Sequence, residues 1–185
     1  MTKVEQAILF AVNAHAGTTR KGKGTPYVLH PLEAAAVAGR VSENEDVLAA
    51  AILHDTVEDT SVTLEEIREQ FGERVAFLVA GESENKREEL PPEETWLIRK
   101  QETVAHLKQA DRDTKIVCLG DKISNLREIA NDKDTLGEAI WQRFHQKDPA
   151  MHRWYYASLL EILEEELGDI APIREYRLLL HKIFD

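Results

Sequence analysis

The chain has 185 residues, 43% of them hydrophobic and 6% aromatic, enough apolar material for one domain with a buried core, which excludes a disordered chain. A formal net charge of −11 excludes a general nucleic-acid surface, because phosphate backbones call for a basic face. Cys118 is the only cysteine, so no intrachain disulfide can form, and no run approaches the roughly 20 apolar residues that span a membrane.

The first residues lack the basic and long apolar segments of a secretion signal, so a cytoplasmic protein is expected. Val4, Ile8, Ala11 and Val12 recur at helical spacing and predict a first helix over 3–16. GTTRKGKGTPYVL (17–29) breaks that pattern with three glycines and a proline, and it carries Arg20, Lys21 and Lys23. Pro31, directly after His30, suits the first turn of a second helix over 31–40. An alanine-rich helix is predicted over 44–58.

Thr63 and Glu66 have capping-box spacing and mark the start of the next helix, with Val62 and Ile67 placed for a hydrophobic staple. A short helix over 73–81 precedes a polar, proline-containing loop at 82–92. Helices follow at 93–109, 113–130 and, less regularly, 134–145. Asp148 and Pro149 form an N-cap and first-turn pair for a long helix to Leu167, and a last helix covers 172–183. No strand alternation competes, so the fold class is all-α and residues 1–185 are read as a single domain.

Within AILHDTVEDT (51–60), residues four apart share a helix face, which puts His54 near Glu58 and Asp55 near Asp59. Imidazole nitrogen with carboxylate oxygen suits several divalent ions, and a further carboxylate pair one turn on suits a base or a water-orienting group. Taken alone, the stretch reads more readily as the solvated polar end of a helix, although acids there oppose the helix dipole. In KIVCLGDKISNLREI (115–129), Asp121 interrupts a broad apolar face, with Asn125 one turn beyond. A buried carboxylate needs a cation, so Asp121 either binds a metal or pairs with a neighbour such as Lys122 or Arg127.

His30 projects from a junction between Pro26 and Pro31, whereas His15 on the first helix reads as a packed or capping histidine. RFHQKDPAMHRWYY (143–156) puts cations, Arg153 among them, beside Trp154, Tyr155 and Tyr156. Such a set serves either a nucleotide or an ordinary core boundary.

The order His30, His54-Asp55, Glu58-Asp59, Asp121 and Asn125 resembles the HD superfamily of metal-dependent phosphohydrolases. HAGTTRKGKGTPYVLHPLEAA, AAILHDTVEDT, VTLEEIREQFGERVAFLV and KIVCLGDKISNLREI look like consecutive motifs of the RelA/SpoT hydrolase domain and of the stand-alone small alarmone hydrolases. The likeness covers about residues 5–130, and helices in 131–185 complete the domain. It implies a compact HD-domain helical bundle with one divalent ion, usually Mn²⁺ though other divalent metals could serve. His30, His54, Asp55 and Asp121 would be its ligands.

By the same resemblance, Glu58 and Asp59 orient and deprotonate the attacking water. Arg20, Lys21 and Asn125 contact substrate, and Arg153 with Tyr155 (or Tyr156) lies against the base. The implied reaction removes the 3′-pyrophosphate of ppGpp or pppGpp, giving GDP or GTP and pyrophosphate. The alternative is an HD phosphohydrolase acting on another nucleotide or a phosphorylated cofactor. The partner is then a small-molecule alarmone rather than nucleic acid or membrane, with a homo-oligomer left open. Gly120 stands where the family usually has Ala, which is expected to loosen the helix packing beside Asp121. The stretch 81–100 has no clear counterpart, and alarmone synthesis is not expected from a chain of this length.

Overall fold

Four of the helix starts follow capping chemistry. Thr2, Asn44, Thr63 and Asp148 each accept a backbone N–H from the first turn that follows, and Thr2 and Thr63 complete capping boxes with Glu5 and Glu66. The structure, a computed structural model, describes residues 1–185 apart from Lys86 and Glu88. Both lie in the polar loop expected at 82–92, so that part of the expectation falls outside the described residues. Among the described residues the elements are α1 (Lys3–Ala14), α2 (Leu29–Ala38), α3 (Glu45–Leu53), α4 (Thr56–Asp59) and α5 (Leu64–Phe71). They continue with α6 (Glu73–Glu82), α7 (Pro92–Gln109), α8 (Arg112–Leu136), a 3-10 helix (Gly137–Arg143), α9 (Pro149–Leu167) and α10 (Ala171–Phe184).

The all-α expectation holds: one isolated bridge, Thr19 to Pro26, is the only extended pairing among the described residues. None of their helices is long and apolar enough to cross a membrane.

The chain divides into two compact units, Met1–Ser83 with Asp111–Ser124, and Glu84–Ala110 with Asn125–Asp185. In the first, α3 packs against α1, α2 and α6. A helix surrounded in this way must be apolar all round, and Val47 and Ala49 to Leu53 are all buried. The small alanines suit that central place, since they keep neighbouring backbones close.

The helix expected over 44–58 is in fact two. His54 Nδ1 donates to the Ala51 carbonyl at 2.9 Å, and Thr56 Oγ1 donates to the Leu53 carbonyl at 2.6 Å. Side chains thereby take acceptors that the backbone N–H groups of the next turn would use, so α3 ends at Leu53 and α4 begins at Thr56.

Gly120 overturns a second expectation. A Cβ there would lie 2.4 Å from the Ala34 carbonyl oxygen, so glycine lets α8 press directly onto the backbone of α2. The packing beside Asp121 is tighter for the glycine, not looser.

In the second unit α9 packs against α7 and α10. Tyr176 is buried there and donates to the Tyr156 carbonyl at 2.9 Å. Glu84 holds the approach to α7, accepting from Arg99 at 3.1 Å, Lys100 at 2.6 Å and Thr103 at 3.0 Å. The helix expected over 134–145 is instead the end of α8 followed by the 3-10 helix. The change falls at Gly137, whose φ of 57° an L residue rarely adopts.

Candidate metal centre

Three elements deliver the candidate ligands, all from residues of the first unit. α2 brings His30 in its first turn, the α3–α4 junction brings His54 and Asp55, and α8 brings Asp121. One ligating atom from each of His30, His54 and Asp121 lies within 4.8 Å of the others, and all three residues are buried. Asp55 joins them from a side chain that is 18% exposed.

His30 Nε2 is 3.3 Å from Asp55 Oδ2 and 3.1 Å from Asp121 Oδ1. His54 Nε2 is 3.1 Å and 3.5 Å from the same two oxygens. Two atoms each about 2.1 Å from a shared ion, at tetrahedral or octahedral angles, stand about 3.0–3.4 Å apart, so the spacing fits one small divalent cation.

The hydrogen bonds behind the site fix which nitrogen faces it. The Ala51 carbonyl can only accept, so His54 carries its proton on Nδ1, and its buried Nε2 has no hydrogen-bond partner among the described residues. Ser124 Oγ gives its one proton to Glu33 Oε2 at 2.7 Å and therefore accepts from His30 Nδ1 at 2.9 Å. Both imidazoles thus turn Nε2 toward carboxylate oxygens. Lone pairs facing lone pairs repel unless a cation, a proton or a metal ion, stands between them.

Burial works against charge on His54, but Asp55 and Asp121 outweigh it and hold its pKa well above the ordinary value. His30 is raised in the same way, by the same two carboxylates against its burial. Burial likewise opposes charge on Asp55 and Asp121, yet His54 and His30 hold Asp55 well below its ordinary value, and Lys122 with both histidines does so for Asp121. Lys122 Nζ donates to Asp121 Oδ2, leaving Oδ1 for the histidine side. The donor set therefore fits a divalent ion, with His30, His54, Asp55 and Asp121 able to hold it.

Around this cluster, α4 carries Glu58, half-buried, and Asp59, exposed. Tyr27 Oη lies 2.7 Å from Asp55 Oδ2 and 2.7 Å from Asp59 Oδ2. The loop bearing it is closed by backbone hydrogen bonds from Tyr27 to Thr18 and from Arg20 to Thr25, and the Arg20 guanidinium sits over the Tyr27 ring at 5.3 Å. Lys21 on the same loop is exposed. His15 is buried at the C-cap of α1 and stacks on Tyr27, in keeping with its reading as a packed or capping residue.

The remaining sequence candidates belong to the second unit. Asn125 follows Ser124 directly on α8. Arg153 pairs with Asp185 at 3.1 Å, and Tyr155 is 3% exposed with Lys100 Nζ 4.8 Å from its ring centroid.

Sequence reasoning passed over Tyr27, Glu33, Ser124 and Glu82. Glu33 stands three residues after His30 and Ser124 three after Asp121, so helical spacing already put each on its partner's face. Tyr27 is the lone aromatic of a cationic loop, a signal that could have been weighed. Glu82, at the end of α6, is pushed up to about 7 by burial, with Lys122 opposing and Asp121 adding to the rise.

A family model described as an HD domain matches residues 7–147. The guanosine-3′,5′-bis(diphosphate) 3′-pyrophosphohydrolase MESH1 of Danio rerio is 38% identical over 127 residues, covering 67% of this chain and 67% of that protein. A guanosine-3′,5′-bis(diphosphate) 3′-pyrophosphohydrolase of Aquifex aeolicus (strain VF5) is 44% identical over 79 residues, 43% of this chain but 11% of that much longer protein. A solved structure of a metazoan SpoT ortholog, described as hydrolysing ppGpp and acting in starvation responses, superposes with a TM-score of 0.75. That match covers 100% of this chain and 94% of the other at 24% identity, and it establishes the shared fold.

Proposed function

The chain belongs to the HD domain family, and on that premise we propose that it is a Mn²⁺-dependent 3′-pyrophosphohydrolase of ppGpp and pppGpp. Residues 1–185 then act as one hydrolase domain, in the cytoplasm. The observation that carries the reading is the pair of Nε2 atoms facing Asp55 and Asp121 at 3.1–3.5 Å, with the carboxylates of α4 directly following.

His30, His54, Asp55 and Asp121 would hold the ion. When bound, it supplies Lewis-acid polarisation of a phosphoryl oxygen and eases deprotonation of water near neutral pH. Arg20 and Lys21 take the charge of the 3′-pyrophosphate, and Asn125 offers an amide to the substrate. Glu58 or Asp59 receives the proton of the attacking water. The water oxygen bonds to the phosphorus attached to the ribose 3′-oxygen, that phosphorus–oxygen bond breaks, and the 3′-oxygen leaves with a proton. For the base, Arg153 and Tyr155 stand as candidates, with Lys100 Nζ 4.8 Å from the centroid of the Tyr155 ring.

Purified protein incubated with ppGpp over a Mn²⁺ series should release pyrophosphate and GDP in equal amounts. Intact ppGpp at every ion concentration removes the reading. Orthophosphate from another nucleotide in a parallel panel would replace it with the broader phosphohydrolase alternative.

A further inference from the structure

Tyr27 makes contacts that the proposed chemistry does not use. Its hydroxyl lies 2.7 Å from Asp55 Oδ2 and 2.7 Å from Asp59 Oδ2, and a phenol has one proton for these two acceptors. Asp55 Oδ2 is also the oxygen that faces Nε2 of both His30 and His54. The same hydroxyl therefore touches a candidate metal ligand and a candidate base.

The ring has little freedom to aim that O–H elsewhere. His15 stacks on it with centroids 4.8 Å apart and planes 29° apart, and His30 meets it edge-on at 6.0 Å. The Arg20 guanidinium covers it at 5.3 Å, and the Tyr27 backbone N–H is tied to the Thr18 carbonyl. Asp59, by contrast, is the last residue of a single-turn helix and is exposed, with extended backbone at Thr60 after it. Two carboxylates in one small volume repel, and a hydroxyl dipole between them offsets that repulsion.

We infer that Tyr27 is a positioning residue that ties Asp59 to Asp55 and so fixes the candidate base relative to the candidate ion site. Its hydroxyl acts as the outer support of a ligating carboxylate, and its ring couples that support to the phosphate-facing Arg20. The catalytic consequence rests on the pyrophosphohydrolase reading; the consequence for ion affinity does not.

Tyr27→Phe isolates the O–H, because phenylalanine keeps the ring between His15 and Arg20. Calorimetric titration of the chelated protein with Mn²⁺ should show affinity about tenfold weaker than wild type, the low end of what outer-shell losses cost. Thermal unfolding of both metal-free proteins serves as the control on folding. Where ppGpp is hydrolysed, kcat should fall about ten- to a hundredfold with KM unchanged. With Mn²⁺ saturating for every variant, the loss in kcat should also vanish in the background of Asp59→Asn, since the tyrosine then has no base to position.

Mn²⁺ affinity indistinguishable from wild type overturns the inference, as does a kcat loss that simply adds to that of Asp59→Asn. If the wild type binds Mn²⁺ but leaves ppGpp intact, the proposed activity fails while the titration still decides the role of Tyr27.

Discussion

Both units bury histidine, to opposite effect. In the first, His30 and His54 point Nε2 at the carboxylates of Asp55 and Asp121, and their pKa values rise despite burial. In the second, His152 is wedged against Trp96, Trp141 and Phe144, and its Nε2 donates to the Gln146 carbonyl at 2.8 Å. Burial dominates there and its pKa falls. Equal depth thus yields imidazoles that face carboxylates, suited to a cation, in one place and a packing group held by a carbonyl in the other. What distinguishes them is where the second ring nitrogen is satisfied, and whether charge of the opposite sign lies within reach.

The sharpest way to break this contrast is to remove charge from one side and the ring from the other. Asp121→Asn keeps the shape but takes away the charge that faces both imidazoles. Mn²⁺ affinity should drop by at least about a hundredfold in calorimetry, beyond what outer-shell changes cost. His152→Leu should leave that affinity unchanged and lower the unfolding free energy by about 1–3 kcal/mol, because the Gln146 carbonyl loses its donor. Weakened ion binding in the His152 variant would erase the distinction.

A smaller effect is expected from Gly120→Ala. The added Cβ meets the Ala34 carbonyl oxygen at 2.4 Å, so α8 and α2 must part. Destabilisation of about 1–3 kcal/mol should outweigh the roughly 1 kcal/mol by which Ala is the better helix former. Urea denaturation measures the net, and unchanged or raised stability would show that the two backbones separate without strain.

The smallest effect is in the slopes of stability against pH for metal-free protein. His30 and His54 have raised values, so their contribution is complete below the ordinary 6.5 and fades as pH rises through the raised values. His152 has a lowered value, so its contribution is present above 6.5 and is lost as pH falls through the lowered one. Denaturation curves across the neutral range should therefore lose alkaline-side slope in Asp121→Asn, whose own lowered carboxylate acts only at more acid pH, and lose the slope just below 6.5 in His152→Leu. Slopes of the same sign in both variants would contradict the electrostatic account.

The sequence made some of this legible and hid the rest for identifiable reasons. Helix starts at Thr63 and Asp148 were readable because a cap and its recipient lie within three residues. The set His30, His54-Asp55 and Asp121 was readable only as an ordered pattern, since nothing local says that residues 91 positions apart will meet. The break between α3 and α4 escaped because His54 and Thr56 look like helix residues until their side chains take the carbonyls of Ala51 and Leu53. Ser124 and Glu33 escaped because their value comes from one another and from His30, across two helices. Gly120 was misread because a glycine in a helix suggests looseness, whereas its effect depends on what lies opposite.

That contact between Gly120 and Ala34 also bears on how freely the rest of the core can vary. A gap set by side chains widens or narrows with each exchange of leucine for isoleucine, but a gap set by main chain against main chain does not. The first unit can therefore drift in its apolar residues, at Ile67 or Val79 for example, while the offset between the His30 and Asp121 backbones stays constant. One residue without a side chain serves as the gauge block between the backbones that carry His30 and Asp121, and tolerance elsewhere in the core follows from intolerance at that single position.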